Sequence, residues 1–430
     1  MNRYEAAQYT LEALKKAGAQ MADVQASEGY VEELNAEVGE FSLYRTLFNS
    51  SLDIKAVKDG KKGIASINVL EKTAIDEAVA GCIAAAEAGV VDEAEGIAER
   101  TENKKFQSGV LTPNKEALYD RVQEYLEEMK EQYPKINTEQ FFAKYFRTDD
   151  LFLNTNGVEF ENAAGYYDYV CMFTGQDGEK FTSFNYYYSK FTDITAKLMD
   201  MGLMRNILED TLNSFDTESV EGKYVGPVIL APSCFDDFLY SITSFAGDRA
   251  LIQGTSIWKD KLDQQVAHPS VNISMNPHDP RIVCGERFTS DGYESADMDF
   301  IKDGHLKTFL LSRYGSKKIG KPRAANLSDN IIVAPGQKSL KDMLKGIDKG
   351  LLINRFSGGV PARNGDFSGV AKNSFAIKNG KIAGAVSETM ISGNLDKLFK
   401  SVMAISKETV CNGTSVLPWI ALDGVTISGK

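Results

Sequence analysis

Peptide-bond hydrolysis by a metal site needs ligands that share one ion, and the simplest source is a His pair one turn apart on a helix with a Glu beside it. In this sequence the helix best placed for such a pair ends in Ser244-Phe245-Ala246-Gly247-Asp248-Arg249, which holds neither His nor Glu and sets an Arg where a cation would sit. The three His, at 268, 278 and 305, are not spaced for one helical face. Five Cys, at 82, 171, 234, 284 and 411, are odd in number, scattered and never Cys-x-x-Cys, so they read as reduced thiols that mostly fill cores. Ser387-Glu388 offers a nucleophile beside a base, but neighbours on a strand point to opposite faces, which favours a structural role. Neither a Gly-x-Ser-x-Gly elbow nor a Gly-x-x-x-x-Gly-Lys-Ser/Thr phosphate loop occurs.

The helix in question comes after a short apolar strand, Val228-Ile229-Leu230-Ala231, broken by Pro232-Ser233. Ser233 reads as its N-cap, with Asp236 in the capping-box position and Asp237 beside it, where the helix dipole favours negative charge. Phe235, Phe238, Leu239, Ile242 and Phe245 recur at three- and four-residue intervals and predict one buried face.

Upstream, helix and strand patterns alternate. Tyr4 to Ala17 reads as a helix stopped at Gly18. Residues 22 to 48 read as extended segments broken near Gly29 and Gly39, followed by a hairpin turning at Asp59-Gly60. Two more helices are marked by Ile75, Val79, Cys82 and Ile83 and by Leu118, Val122, Tyr125, Leu126 and Met129, with an acidic strap from Val90 to Ser108 between them. Strand patterns fill residues 138 to 193 and include Phe184-Asn185-Tyr186-Tyr187-Tyr188, which reads as a half-buried sheet with tyrosines at its rim or as an edge that accepts an extended peptide. A helix over 198 to 212 leads into an acidic, Gly-bearing linker, where a domain boundary is placed.

Beyond it the pattern is of strands with Gly-bearing turns at Asp303-Gly304, Asn364-Gly365, Asn379-Gly380 and Asp423-Gly424. Two helices interrupt it, one capped by Ser339 and stopped at Gly350, the other running from Asn394 through Met403. The reading is α+β: an N-terminal domain of mixed helix and strand over residues 1 to 220, and a largely antiparallel β domain with helices over 221 to 430.

The net charge of −12 opposes a phosphate-binding surface and hence direct contact with nucleic acid. No run is long enough to span a bilayer and the start lacks a secretory signal, so the expected location is cytoplasmic, with no membrane role. Against that charge, Arg313, Lys317, Lys318, Lys321 and Arg323 form a basic run without an intervening acid, read as a solvated helix face or an attractor for an acidic partner.

An ordered set of blocks resembles the C-terminal domain of the TldD/PmbA family. The blocks are Phe288-Thr289-Ser290-Asp291-Gly292, Ile301-Lys302-Asp303-Gly304, Gly350-Leu351-Leu352-Ile353, Gly365-Asp366-Phe367-Ser368, Asn379-Gly380-Lys381-Ile382, Ser387-Glu388 leading to Ile391-Ser392-Gly393-Asn394-Leu395, and Ser415-Val416-Leu417-Pro418. The resemblance implies a two-domain fold and a cytoplasmic, zinc-dependent protease family linked by name to modulation of DNA gyrase. TldD-type members carry His-Glu-x-x-x-His on the helix after the strand, completed by a later Cys. Ser244 to Arg249 departs from that pattern, so the chain resembles the PmbA (TldE) branch, whose members pair with a TldD subunit that holds the metal. Cys411 lies near the family's ligand Cys, but without the His pair it is not read as a ligand.

The resemblance further implies a subunit without cofactor of its own, with zinc on a TldD-like partner in a heterodimer, or a homodimer, acting on unfolded peptides. Its peptide groove is expected along a strand edge at Ser387, Glu388, Thr389, Gly393, Asn394 and Ser415. The alternatives are a stand-alone peptidase with dispersed ligands such as His268, His278 and Cys411, and an indirect regulator of gyrase.

Overall fold

The computed structural model describes residues 1–387 and 389–429. Its N-terminal half is built from α1 (Arg3–Lys16), β1 (Met21–Glu37), β2 (Glu40–Lys58), β3 (Lys61–Ile67), α2 (Lys72–Ala88), β4 (Lys104–Gly109), α3 (Lys115–Gln132), β5 (Ile136–Asn154), β6 (Glu159–Asp177), β7 (Lys180–Phe181), β8 (Asn185–Phe191) and α4 (Met204–Leu212). The strands form one sheet in the order β3-β2-β1-β5-β6-β4, with β7 and β8 also on β6. Gly29 does not break β1; it lies within the strand because a Cβ there would meet the Arg147 carbonyl oxygen of β5 at 2.2 Å. The two-residue period then places Ala22, Val24, Ala26, Leu34 and Ala36 on one face of β1. α1 and α2 cover one end of that face, α3 and α4 the other.

The C-terminal half comprises β9 (Thr217–Ser219), β10 (Lys223–Leu230), α5 (Pro232–Phe245), α6 (Asp248–Ile252), β11 (Ile273–Met275), β12 (Met298–Lys302), β13 (His305–Leu306), α7 (Arg313–Ile319), β14 (Ile331–Val333), α8 (Leu340–Lys345), β15 (Lys349–Ile353), β16 (Arg355–Gly358), β17 (Asp366–Lys372), β18 (Phe375–Lys378), β19 (Lys381–Ser387), β20 (Thr389–Asn394), α9 (Leu395–Lys400), β21 (Val402–Cys411) and β22 (Val416–Ser428). The sheet order is β13-β12-β11-β14-β22-β10-β15-β18-β19-β9, extended through β20, β17 and β16 and by β21. Most pairs are antiparallel, with β10 and β15, β14 and β22, and β19 and β9 parallel. With helices and strands throughout both halves, the fold is α+β.

Four local readings are corrected. α5 begins two residues earlier than expected: Ala231 is its N-cap, Pro232 opens it and the Ser233 hydroxyl donates to the Asn354 carbonyl, which leaves Asp236 and Asp237 in the second turn. The absent cap, worth about 1 kcal/mol, matters little beside the burial of Phe235, Phe238, Leu239 and Ile242, at about 1.5–3 kcal/mol each. The helix capped by Ser339 ends at Gly346, and Gly350 belongs to β15. Val402 and Met403 open β21 instead of extending α9. Asp423-Gly424 is an irregularity inside β22, its glycine at φ +95°, and not a hairpin turn.

Three residues of the basic run are engaged within the chain and do not form a free solvated face. Lys318 pairs with Asp92 at 2.8 Å, Arg313 donates to the Ala94 carbonyl at 3.3 Å, and Arg323 lies over the Tyr293 ring, whose hydroxyl donates to Glu99. They clamp the acidic strap of the N-terminal half onto the C-terminal half, while Lys317 and Lys321 stay exposed. Phe288, packed against Phe106, Phe152 and Phe160, seals the same junction.

Candidate functional site

A cavity of about 260 Å³ opens where the two halves meet. β8 and α4 form one wall, the start of α5 and the strand ends at Asn354-Arg355 another, and the turn between β21 and β22 a third. The local sequence explains the arrangement. Alternation in β8 buries Asn185, Tyr187 and Ser189 and turns Tyr186 and Tyr188 outward. Pro232 swings the chain out of β10 so that α5 presents Asp236 and Asp237 toward the cavity while its phenylalanines go to the core.

The polar groups interlock. Asn412 uses its amide oxygen to accept from Thr414 and Ser415 backbone N–H groups, both at 2.9 Å, and its amide nitrogen donates to the Tyr188 hydroxyl at 2.9 Å. The Asn412 carbonyl accepts from Lys190 N–H at 2.8 Å, which ties the turn to the outer edge of β8. The Tyr188 hydroxyl approaches Asp236 at 3.4 Å. Asp210 of α4 accepts from Asn354 at 2.8 Å. The Arg355 guanidinium lies 4.4 Å from the Tyr186 ring centroid and donates to the Phe184 carbonyl.

Burial pushes the Asp210 carboxyl up to about 6. Burial, reinforced by the neighbouring Asp237, does the same to Asp236. Asp237 is also raised by burial, with Arg355 opposing. Carboxylates withdrawn from water and lacking an ion-pair partner among the described residues are suited to a hydrogen-bond donor or a cation brought by a ligand.

Of the residues expected at the groove, Ser415 alone lines this cavity among the described residues. Ser387 ends β19, paired with β9. β20 is paired with β17 along residues 389–394 and with β22 at 390–392, so its backbone groups are engaged and it is not a free edge. Thr389 is fully buried, with its hydroxyl on the Ser387 carbonyl, and Gly393 packs near Leu398 and Phe367. Asn394 caps α9 and bonds Asp366. Glu388 lies outside the described residues. The sequence pattern marks Asp236 and Asp237 only as helix-end charges and gives no sign of Asp210, Asn354, Arg355, Asn412 and Trp419. The tyrosine run is the one local signal pointing here.

The family resemblance implies zinc, and the residues present do not fit it. The Ser244 hydroxyl donates to the Ser241 carbonyl. Phe245 is 4% exposed and packs edge-on against Trp258. Asp248 accepts from both the backbone N–H and the hydroxyl of Ser312, holding the start of α7. The dispersed alternative does not assemble either: His268 bonds Ser270, Cys411 Sγ sits by the Arg281 carbonyl, and no metal-binding group of three His, Cys, Asp or Glu occurs among the described residues. Burial raises the Cys411 thiol above its ordinary range, away from the thiolate a metal requires.

Residues 221–429 match the family model of the PmbA/TldA metallopeptidase C-terminal domain. Along nearly the whole chain the sequence is similar to a metalloprotease PmbA homolog of Haemophilus influenzae, 24% identical over 99% of this chain and 96% of that one. The fold is that of TldE from Thermococcus kodakarensis, with a TM-score of 0.87 at 18% identity, covering 99% of this chain and 100% of that chain. A protein from Bacteroides thetaiotaomicron proposed as a modulator of DNA gyrase has the same fold, with a TM-score of 0.85 at 23% identity and 99% of each chain covered. No helix among the described residues is long and apolar enough to cross a membrane. The domain match over the C-terminal half, joined to a similarity that runs the length of the chain, makes this protein a member of the TldD/PmbA family.

Proposed function

We propose that this chain is a PmbA/TldE-type subunit that holds extended peptide in the cavity beside β8 and relies on a TldD-like partner for zinc and for hydrolysis. The observation that carries the reading is the contrast between two neighbouring regions. Ser244 to Arg249, where such a family would ligate metal, is committed to packing and to the α7 cap, whereas the cavity at the other end of α5 keeps polar groups and a strand edge open. Lys190 N–H points away from β6 to reach Asn412, so by the two-residue period Tyr188 presents its backbone to the same outer edge. An extended peptide can add there as a strand, its alternate side chains meeting the cavity wall.

The purified chain is expected to hold only trace zinc after dialysis and to cleave no unfolded peptide. Mixing with a TldD-like subunit should restore cleavage. Stoichiometric zinc on the isolated chain, with peptidase activity lost on chelation, would show a stand-alone enzyme instead.

A partner is supported by the far end of the β1–β2 hairpin. β3 pairs β2 only from Leu52 onward, so residues 40–51 leave one edge of β2 without a strand. Tyr44 and Phe48 there are 52% and 81% exposed, with Leu43 and Leu47 beside them, an apolar edge that monomers usually blunt with charge. Light scattering of this chain alone or with its partner is expected to give about twice the 47.3 kDa chain mass. Leu47→Lys with Phe48→Lys should return it to the single-chain mass with the fold retained. An unchanged mass in that variant places the interface elsewhere.

A further inference from the structure

We infer that the cavity selects for a cationic nitrogen on the bound peptide, a Lys or Arg side chain or a free α-amine, seated between the carboxylates of Asp210, Asp236 and Asp237 and the aromatic walls of Tyr186, Tyr188 and Trp419. The inference rests on the peptide-holding role proposed above and specifies what kind of peptide is held.

The charge balance of the cavity is the first argument. Three carboxylates line it against one resident cation, Arg355, and that guanidinium is already spent on the Tyr186 ring and the Phe184 carbonyl. None of the three carboxylates has an ion-pair partner among the described residues. Asp210 is served by the neutral amide of Asn354, and Asp236 by the distant Tyr188 hydroxyl and the Ser415 hydroxyl, all of them neutral donors. Carboxylates in such surroundings gain most from a charged donor, whose bonds are stronger than those to neutral groups.

The aromatic lining of the same cavity, Tyr186, Tyr188 and Trp419, is a second observation, independent of the charges. The aromatic faces supply the rest, because a ring attracts a cation through its quadrupole, and Arg355 over Tyr186 shows one of these rings doing so within the chain. A negatively charged or purely apolar side chain would leave the carboxylates uncompensated.

The groups facing Asp236 are Asp237 on α5, Tyr188 on β8, Ser415 and Asn412 on the turn, and Asp329 further off; Arg355 faces Asp237. Their balance leaves the cavity more negative as pH rises through about 6, so capture of the cation should strengthen in that direction.

The test uses the full chain and unstructured hexapeptides capped at both ends, identical except for a central Lys, norleucine or Glu, plus the norleucine peptide with a free amino terminus. Binding is followed by calorimetry near pH 7.5. The Lys peptide is expected to bind at least about tenfold more tightly than norleucine, with Glu weakest. The free-amine peptide reports whether a terminal nitrogen serves as well as a side chain. Asp236→Asn with Asp237→Asn should bring Lys and norleucine to parity, and Asp210→Asn, a second route should that double variant not fold, should narrow the gap. Equal binding of Lys and norleucine by the wild-type chain overturns the cation inference while leaving peptide capture standing. Binding of none of the peptides overturns both.

Discussion

Writing His-Glu-x-x-x-His back into the chain, by Ser244→His, Phe245→Glu and Arg249→His, is expected to unfold it and not to create a zinc enzyme. The middle substitution decides the outcome. Phe245 closes the buried face of α5, with its ring centroid 5.6 Å from that of Trp258, and Trp258 is itself 1% exposed and anchored through its indole N–H to Asp396. Losing a buried phenylalanine costs about 3–5 kcal/mol. An unpaired carboxylate in its place adds several kcal/mol more, up to the whole of a typical stability of about 5–15 kcal/mol. Urea unfolding should show Phe245→Glu alone carrying most of the loss, while Ser244→His with Arg249→His remains folded and binds zinc weakly. A triple variant that unfolds at the wild-type midpoint and retains one zinc would show that this region is a latent metal site and that the division of labour proposed here is wrong.

That result would also mark where the sequence is legible. The three- and four-residue spacing of Phe235, Phe238, Ile242 and Phe245 announces a buried helical face, and the structure places those side chains in the core as expected. Turns at Asp59-Gly60, Asp303-Gly304 and Asn379-Gly380 are hairpins because Asp and Gly, or Asn and Gly, take positive φ there. The same dipeptide misleads at Asp423-Gly424, where β10, β20 and β21 hold the flanking residues in one strand and the positive φ of the glycine is absorbed within it. Long-range pairing there outweighs local turn preference.

The cavity is hidden from the sequence for a similar reason. Asp210, Asp236, Asn354 and Asn412 are far apart in sequence and unremarkable in their own neighbourhoods, and only the docking of β8 and α4 against α5 brings them together. The family-like blocks around Ser387 to Asn394 draw attention because of their order, yet strands β17 and β22 occupy both sides of β20, and its role is to build the sheet. A resemblance of blocks reports what a fold needs as readily as what a site does.

Stability of this protein is expected to rise as pH falls from about 8 toward about 5, with Asp23→Asn removing a large part of the effect. Burial pushes Asp23 up to about 6, Lys55 opposes, and Asp291 and Glu95 reinforce the shift. Asp168 and Asp210 are raised to about 6 by burial as well. A carboxyl whose pKa is higher folded than unfolded binds its proton preferentially in the folded state. Its charged form therefore penalises folding in full above about 6, and the penalty fades as pH falls toward 3.8, the unfolded value. Paired carboxylates act in the opposite sense further down: the Lys318 ammonium holds Asp92 near 2 and the Lys345 ammonium does so for Asp342, so their stabilisation is lost only below about 4. Between those windows lies the maximum. Asn copies the neutral acid in size and hydrogen bonding, so Asp23→Asn should stabilise the chain by about 2–3 kcal/mol near pH 8 and by several-fold less near pH 4. Denaturant unfolding across that range measures both. An Asp23→Asn variant no more stable than wild type near pH 8, or one whose advantage is the same at both ends, would show that the carboxyl is ionised at little cost and that Lys55 compensates its burial.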